Sequence, residues 1–187
     1  MTFLSGAVLA IALVLAALLL RRRFASFPAQ RPEDYANQLP VFDIRREFNG
    51  PLLCEGVIYG PTGRVTSRFV ADFSASWQGN VGTMTEVFTY DSGAVQNRCW
   101  TLTLSNDGAI RAEAADVVGV GTGRQTGSAV MLRYRIKLAE SAGGHVLDTT
   151  DWMYLTPIGT IMNRSEFRKF GIPVAELVAT MRRKDAA

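Results

Sequence analysis

The sequence predicts an all-β protein, an antiparallel up-and-down barrel of eight or nine strands preceded by one N-terminal transmembrane helix. Three observations predict it. Apolar residues alternate with period two from residue 53 almost to the end. Turn residues recur about every ten positions along that stretch. Residues 3–20, FLSGAVLAIALVLAALLL, carry no charge. No connection after residue 53 is long enough for a Greek key. Short strands with one apolar face must stack as two sheets or close on themselves, and closure removes the edges. A barrel of about eight strands leaves room inside for side chains or one small ligand.

The apolar run comes first. As a helix rising about 1.5 Å per residue it would reach roughly 27 Å, enough to cross a bilayer's hydrocarbon. A cleaved secretory signal would open on basic residues, but here Arg21, Arg22 and Arg23 follow the run and no basic residue precedes it. Residues 1–23 therefore read as an uncleaved single-pass anchor. Because basic residues resist translocation, the rest of the chain is expected in the cytoplasm, with the periplasm as the alternative. Residues 24–41 contain Pro28, Pro32 and Pro40 and read as a linker. Residues 42–184 read as the barrel domain. Its opening, VFDIRREFNG, has the apolar spacing for one or two helical turns before Asn49, Gly50 and Pro51 stop them.

Strands are expected near 53–59, 64–76, 81–90, 95–105, 109–118, 128–139, 145–156, 159–164 and 174–183. The segment VMLRYRIKLA shows the alternation best: Val130, Leu132, Tyr134, Ile136 and Leu138 share one face, and Met131, Arg133, Arg135 and Lys137 the other. The last segment fits a closing strand, with a short amphipathic helix as the alternative. Cys54 and Cys99 fall on strands that are not neighbours in a meander and have no metal-ligand spacing, so both are expected as free thiols. The chain of 187 residues, 48% hydrophobic and 20% charged, suffices for one globular domain plus an appendage. Its net charge of +3 comes largely from clusters at the two ends, so nucleic acid is not an expected partner.

Charges on core positions point to a site. The turn Asp91–Gly93 suits a three-residue hairpin whose last position is left-handed and takes glycine. Residue 90 then faces 94, and Glu86 lands opposite Arg98. Asn106–Gly108 has the same chemistry and carries Asp116 to the other side of Arg98. Met84, Phe88, Tyr90, Trp100, Leu102, Leu104, Ile110, Ala112 and Ala114 share this inward face. A buried ion triplet adds little net stability over apolar replacements. Two readings stand: a register lock inside the barrel, or a polar floor gripping the head of a ligand whose apolar part lies against Phe88, Trp100 and Tyr134.

Other motifs carry less. GVGTGRQTG, Gly119 to Gly127, lacks the Lys-Ser/Thr ending of a phosphate loop and reads as a flexible connection at the barrel mouth. His145, the single histidine, reads as a solvated turn residue. Asp148 and Asp151 fall on opposite faces of one strand, and Asp151 could add a carboxylate to the lumen; the pattern leaves open whether Trp152 or Met153 points inward. No nucleophile motif, metal cluster or cofactor loop is present, so no catalytic residue and no cofactor is expected.

The strings EVFTYDSGAVQNRCWTLTL, ADVVGVGTGRQTGSAVMLRYRIKL, DTTDWMYL and NRSEFRKFG resemble the bacterial DUF3833 family, a domain of unknown function, over about residues 35–184. The resemblance implies a small envelope protein with a lipocalin-like barrel and implies no activity. The chain lacks the lipobox cysteine near residue 20 of lipidated members, so a helix takes over anchoring, and it lacks the Gly-x-Trp opening of true lipocalins. The expected protein sits in a bacterial inner membrane through residues 3–20. It binds a small hydrophobic or amphiphilic, lipid-like ligand in a lumen lined by Glu86, Arg98, Asp116, Phe88, Tyr90, Trp100 and Tyr134. The alternative is a non-catalytic structural or assembly partner of another membrane protein.

Overall fold

The computed structural model describes residues 2–184, with no side-chain description at 2–5, 22 and 141. The strands are β1 (Gly50–Tyr59), β2 (Val65–Gln78), β3 (Val81–Tyr90), β4 (Val95–Leu104), β5 (Ala109–Ala114), β6 (Gly121–Thr126), β7 (Ala129–Lys137), β8 (Val146–Leu155), β9 (Ile161–Lys169) and β10 (Ile172–Arg183). Each pairs antiparallel with its sequence neighbours, and β10 returns to β1 from Leu52↔Arg183 to Tyr59↔Glu176, which closes the barrel. The C-terminal segment is thus the closing strand.

The described residues form ten strands rather than eight or nine, and the additional one is β6, inside the stretch expected as a flexible loop. Its glycines hide the alternation but serve it. A Cβ on Gly123 would lie 2.2 Å from the Met131 carbonyl oxygen and 2.5 Å from Leu132 Cδ2. Glycine here lets Leu132 fill the lumen beside a close-packed strand pair. β5 is shorter than expected and stops at Ala114, where the chain leaves β4. Asp116 lies beyond the ladder. There the Lys137 amide donates to the Asp116 carbonyl at 2.7 Å, and the Val118 amide to the Arg135 carbonyl at 2.8 Å.

The expected linker is not a free tether. Short 3₁₀ turns at Phe27–Ala29 and Pro32–Tyr35 lie against the outer wall. Phe27 is buried with Ala129, Met131 and Trp152, and the Tyr35 ring stands 5.3 Å from Trp152 and 5.4 Å from Tyr154. The Tyr154 hydroxyl donates to Gln30 Oε1 at 2.6 Å. Trp152 therefore points outward and Met153 inward. Beyond this strap, the Phe42 amide donates to the Gly127 carbonyl at 2.8 Å. A single turn, α2 (Ile44–Glu47), begins at Asp43, whose side chain accepts from the Arg45 amide. Phe42, Ile44 and Phe48 are at most 2% exposed and close the lower end of the barrel, where Trp77 Nε1 donates to the Phe48 carbonyl at 2.6 Å.

Helix α1 (Thr2–Phe24) precedes the strap. Among the described residues no helix is long and apolar enough to cross a membrane, so the expected span is not met there. Met1 and the side chains of residues 2–5 and 22 of the expected anchor lie outside the described residues, and the remainder is shorter than a full span requires. The described apolar side chains of α1, from Val8 to Leu20, are all exposed.

Candidate functional site

Both glycine-ended hairpins form as their turn chemistry dictates. Gly93 has φ 83° and Gly108 φ 85°, in the left-handed region that glycine enters without steric cost. The resulting registers pair Met84 with Trp100, Glu86 with Arg98 and Phe88 with Gln96 on one side, and Trp100 with Ala114 on the other. Arg98 Nε donates to Asp116 Oδ2 at 2.7 Å and Nη2 to Oδ1 at 3.2 Å, a bidentate pair. Its Nη1 lies 3.5 Å from Glu86 Oε2. The guanidinium also sits 4.7 Å from the Trp100 ring centroid, and Trp100 meets Tyr134 edge-on at 5.2 Å.

Glu86, Arg98, Trp100 and Tyr134 line a cavity of about 180 Å³ that runs from Phe48 at the closed end to Ile58, Tyr90, Leu138, Phe167 and Leu177 at the other, where side chains are only partly buried. Six of the seven residues expected in the lumen line it: Glu86, Phe88, Tyr90, Arg98, Trp100 and Tyr134. Phe88 packs in an aromatic wall with Phe69 at 5.3 Å and Phe73 at 5.5 Å. The Tyr90 hydroxyl donates to Gln96 Oε1 at 2.9 Å near the rim. Asp116 lines instead a second hollow, outside the wall, that also touches Glu86, Gln96 and Arg98. The cause is the short β5: Val95–Cys99 of β4 pair with β3 on one side and have no ladder partner in β5 on the other. Arg98 thus stands in a gap of the barrel wall, with Asp116 on its outer side and Glu86 on its inner side.

The carboxyls are not equivalent. Glu86 is 5% exposed, and burial pushes its pKa up to about 7 against the opposing pull of Arg98 and Trp100. Its Oε2 accepts no hydrogen bond among the described residues. Asp151 of β8 lines the same cavity and is likewise pushed up by burial, although Ser165 Oγ donates to it at 2.8 Å and Asn163 Nδ2 at 2.5 Å. Burial works against the Arg98 charge, yet Tyr134, Glu86 and Asp116 outweigh it and raise its pKa further. Tyr134 is pushed up chiefly by burial. Cys54, also on the cavity wall, is pushed up to about 12 by burial, so its thiol stays protonated and unreactive. Cys99 faces outward and is exposed.

Asn163 and Ser165 were not among the residues singled out in the sequence, and Cys54, expected there as a free thiol and found as one, was not expected on the lumen wall. A signal for the first two exists: Pro157–Gly159 is another glycine-ended turn, and the register it sets pairs Met153 with Asn163 and Asp151 with Ser165. His145 is exposed, with Nδ1 2.8 Å from Lys169 Nζ, and takes no part in the lumen. Asp148 faces outward toward Arg135. Among the described residues no group of three or more His, Cys, Asp or Glu side chains converges to hold a metal ion.

Solved structures share this barrel. The S-type phycobiliprotein lyase CPES from Guillardia theta is similar at TM-score 0.60 and 10% identity, over 84% of this chain and 99% of that one. Rv2717c from M. tuberculosis is similar at TM-score 0.53 and 16% identity, over 80% of this chain and 100% of that one. At such identities the likeness shows the fold alone. No match is found among curated protein sequences. The sequence model of DUF3833, described as a protein of unknown function, covers residues 22–183, taking in the strap, the lower plug and every strand, and the chain belongs to that family.

Proposed function

We propose that this protein is a non-catalytic binding module that holds a small amphiphilic ligand in its barrel lumen. One observation carries the reading: a buried carboxylate oxygen, Glu86 Oε2, accepts no hydrogen bond among the described residues and has Arg98 Nη1 no nearer than 3.5 Å, on the wall of a cavity of about 180 Å³. A purely structural ion cluster gains by satisfying every oxygen, since an unsatisfied buried acceptor costs about 1–3 kcal/mol. The aromatic walls at Phe88, Trp100 and Tyr134 suit the apolar body of such a molecule. One neighbour of similar fold is described as a phycobiliprotein lyase, which is compatible with a barrel that handles a bound small molecule. Binding without catalysis suits these side chains: Arg98 is engaged by Asp116, Cys54 is held protonated, and His145 lies away from the lumen.

The same proposal places α1 in a bilayer, in a bacterial inner membrane with the barrel on the cytoplasmic side. The support is the uncharged run 3–20, the basic residues that follow it, and the exposed apolar side chains around α1. A reporter fused to the C-terminus of the full chain tests the side: activity of a cytoplasmic reporter is expected, and activity of a periplasmic one reverses the assignment. Binding is tested by native mass spectrometry of the full chain after gentle detergent extraction. A small-molecule adduct is expected on the wild type and is lost from Leu132→Trp, which fills the lumen. Equal adducts on both proteins would overturn the lumen as the site.

A further inference from the structure

The lumen's charges are unbalanced. Arg98 is the one cationic side chain among the described residues that line the cavity. Its fork is spent on Asp116 at 2.7 and 3.2 Å, outside the lumen, and its face lies over Trp100. Two further carboxyls face the cavity. Glu86 is held by Trp100 and by the 3.5 Å approach of Arg98 Nη1, yet its Oε2 accepts no hydrogen bond among the described residues; Asp151 accepts hydrogen bonds from the neutral donors Asn163 and Ser165. The cavity therefore offers acceptors and negative charge, and the negative faces of its aromatic rings add to this. A ligand with an anionic head would bring another like charge into a poorly screened space.

We infer that the lumen selects a small apolar molecule carrying a protonated amine, with the ammonium donating to Glu86 Oε2 and to Asp151 and the hydrocarbon lying against Trp100, Tyr134 and Phe88. This rests on the proposed function and narrows it: the head group is a cation, and a free fatty acid is disfavoured. The ammonium supplies the donor that Glu86 Oε2 lacks and completes the charge balance that Arg98 cannot.

The test uses the full chain in a nonionic detergent at neutral pH, titrated calorimetrically with n-hexylamine, hexan-1-ol and sodium hexanoate, three probes of one chain length. Hexylamine is expected to bind more tightly than hexanol, and hexanoate about tenfold or more weaker than hexylamine. Glu86→Gln is expected to lose about tenfold in hexylamine affinity, and a cooperative thermal melt followed by circular dichroism shows that the variant is folded. Hexanoate binding as tightly as hexylamine, or hexylamine binding unaffected by Glu86→Gln, overturns the amine assignment and leaves lumen binding standing. Failure of all three probes to bind overturns the lumen-binding reading as well.

Discussion

Replacing Glu86 with glutamine removes a charge that the fold holds at a cost. The carboxyl rises from its ordinary value of 4.5 to about 7, chiefly because it is buried. That gap corresponds to roughly 3 kcal/mol of stability. The sign follows from proton counting. Between 4.5 and 7 the folded protein binds a proton that the unfolded chain has released, so the contribution of Glu86 is fully present below 4.5 and is lost as pH rises through 7. Glutamine keeps the shape and does not titrate. Arg98 retains its bidentate partner Asp116 in the variant. Asp151, whose pKa is also raised by burial, is present in both proteins and largely cancels in the comparison. Thermal unfolding of the full chain in nonionic detergent, followed by circular dichroism, should therefore show Glu86→Gln gaining on the wild type as pH is raised from 5 to 8. The gain should be roughly 3 kcal/mol, or about 6 to 12 °C for a domain of this size. A gap between the two melting temperatures that stays constant over this range would refute the reasoning, because it would mean that Glu86 ionises alike in the folded and unfolded chain.

Other substitutions probe the surroundings. Arg98→Met should cost about 3 kcal/mol by leaving Glu86 and Asp116 without their cation, and adding Glu86→Gln should recover part of that loss in thermal melts. Phe42 is 0% exposed in the plug at the closed end, and Phe42→Ala should lower stability by about 3–5 kcal/mol in the same assay. At Gly127, with φ 51°, an added Cβ would fall 1.8 Å from the Tyr35 carbonyl oxygen; Gly127→Ala should loosen the strap and speed chymotryptic cleavage after Tyr35, as gel electrophoresis would show. A thiol reagent at neutral pH should label Cys99 in the folded protein and leave Cys54, which titrates at about 12, untouched until unfolding.

Much of the barrel was legible because its hairpins announce themselves. Asp91–Gly93 and Asn106–Gly108 fix two registers by local chemistry alone, and with them the meeting of Glu86 and Arg98. β6 was hidden for the opposite reason. Gly121 and Gly123 occupy inward positions where Tyr134 and Leu132 need room, so a strand that contributes space in place of side chains has no alternation to read. Asp116 reaches Arg98 from a turn beyond β5, so its arrival agrees with the extrapolated ladder while its setting, on the outer side of a wall gap, does not. The strap looked like a tether because prolines and polar residues dominate residues 24–41. Its few apolar members, Phe27 and Tyr35, dock only because Trp152 and Tyr154 present an outward aromatic surface, a tertiary fact invisible from the linker itself. Asn163 and Ser165 were within reach of the Pro157–Gly159 turn, read with the same register logic.

Ligand binding in the lumen requires an accessible hollow at the middle of the barrel, beside Glu86 and Arg98. X-ray diffraction from crystals held under xenon pressure tests that most directly, since an apolar cavity of this order takes up the gas. Xenon bound between Leu132, Trp100 and Phe88 is the predicted result. Diffraction that shows no gas in the lumen, with side chains packed across it, would contradict the account.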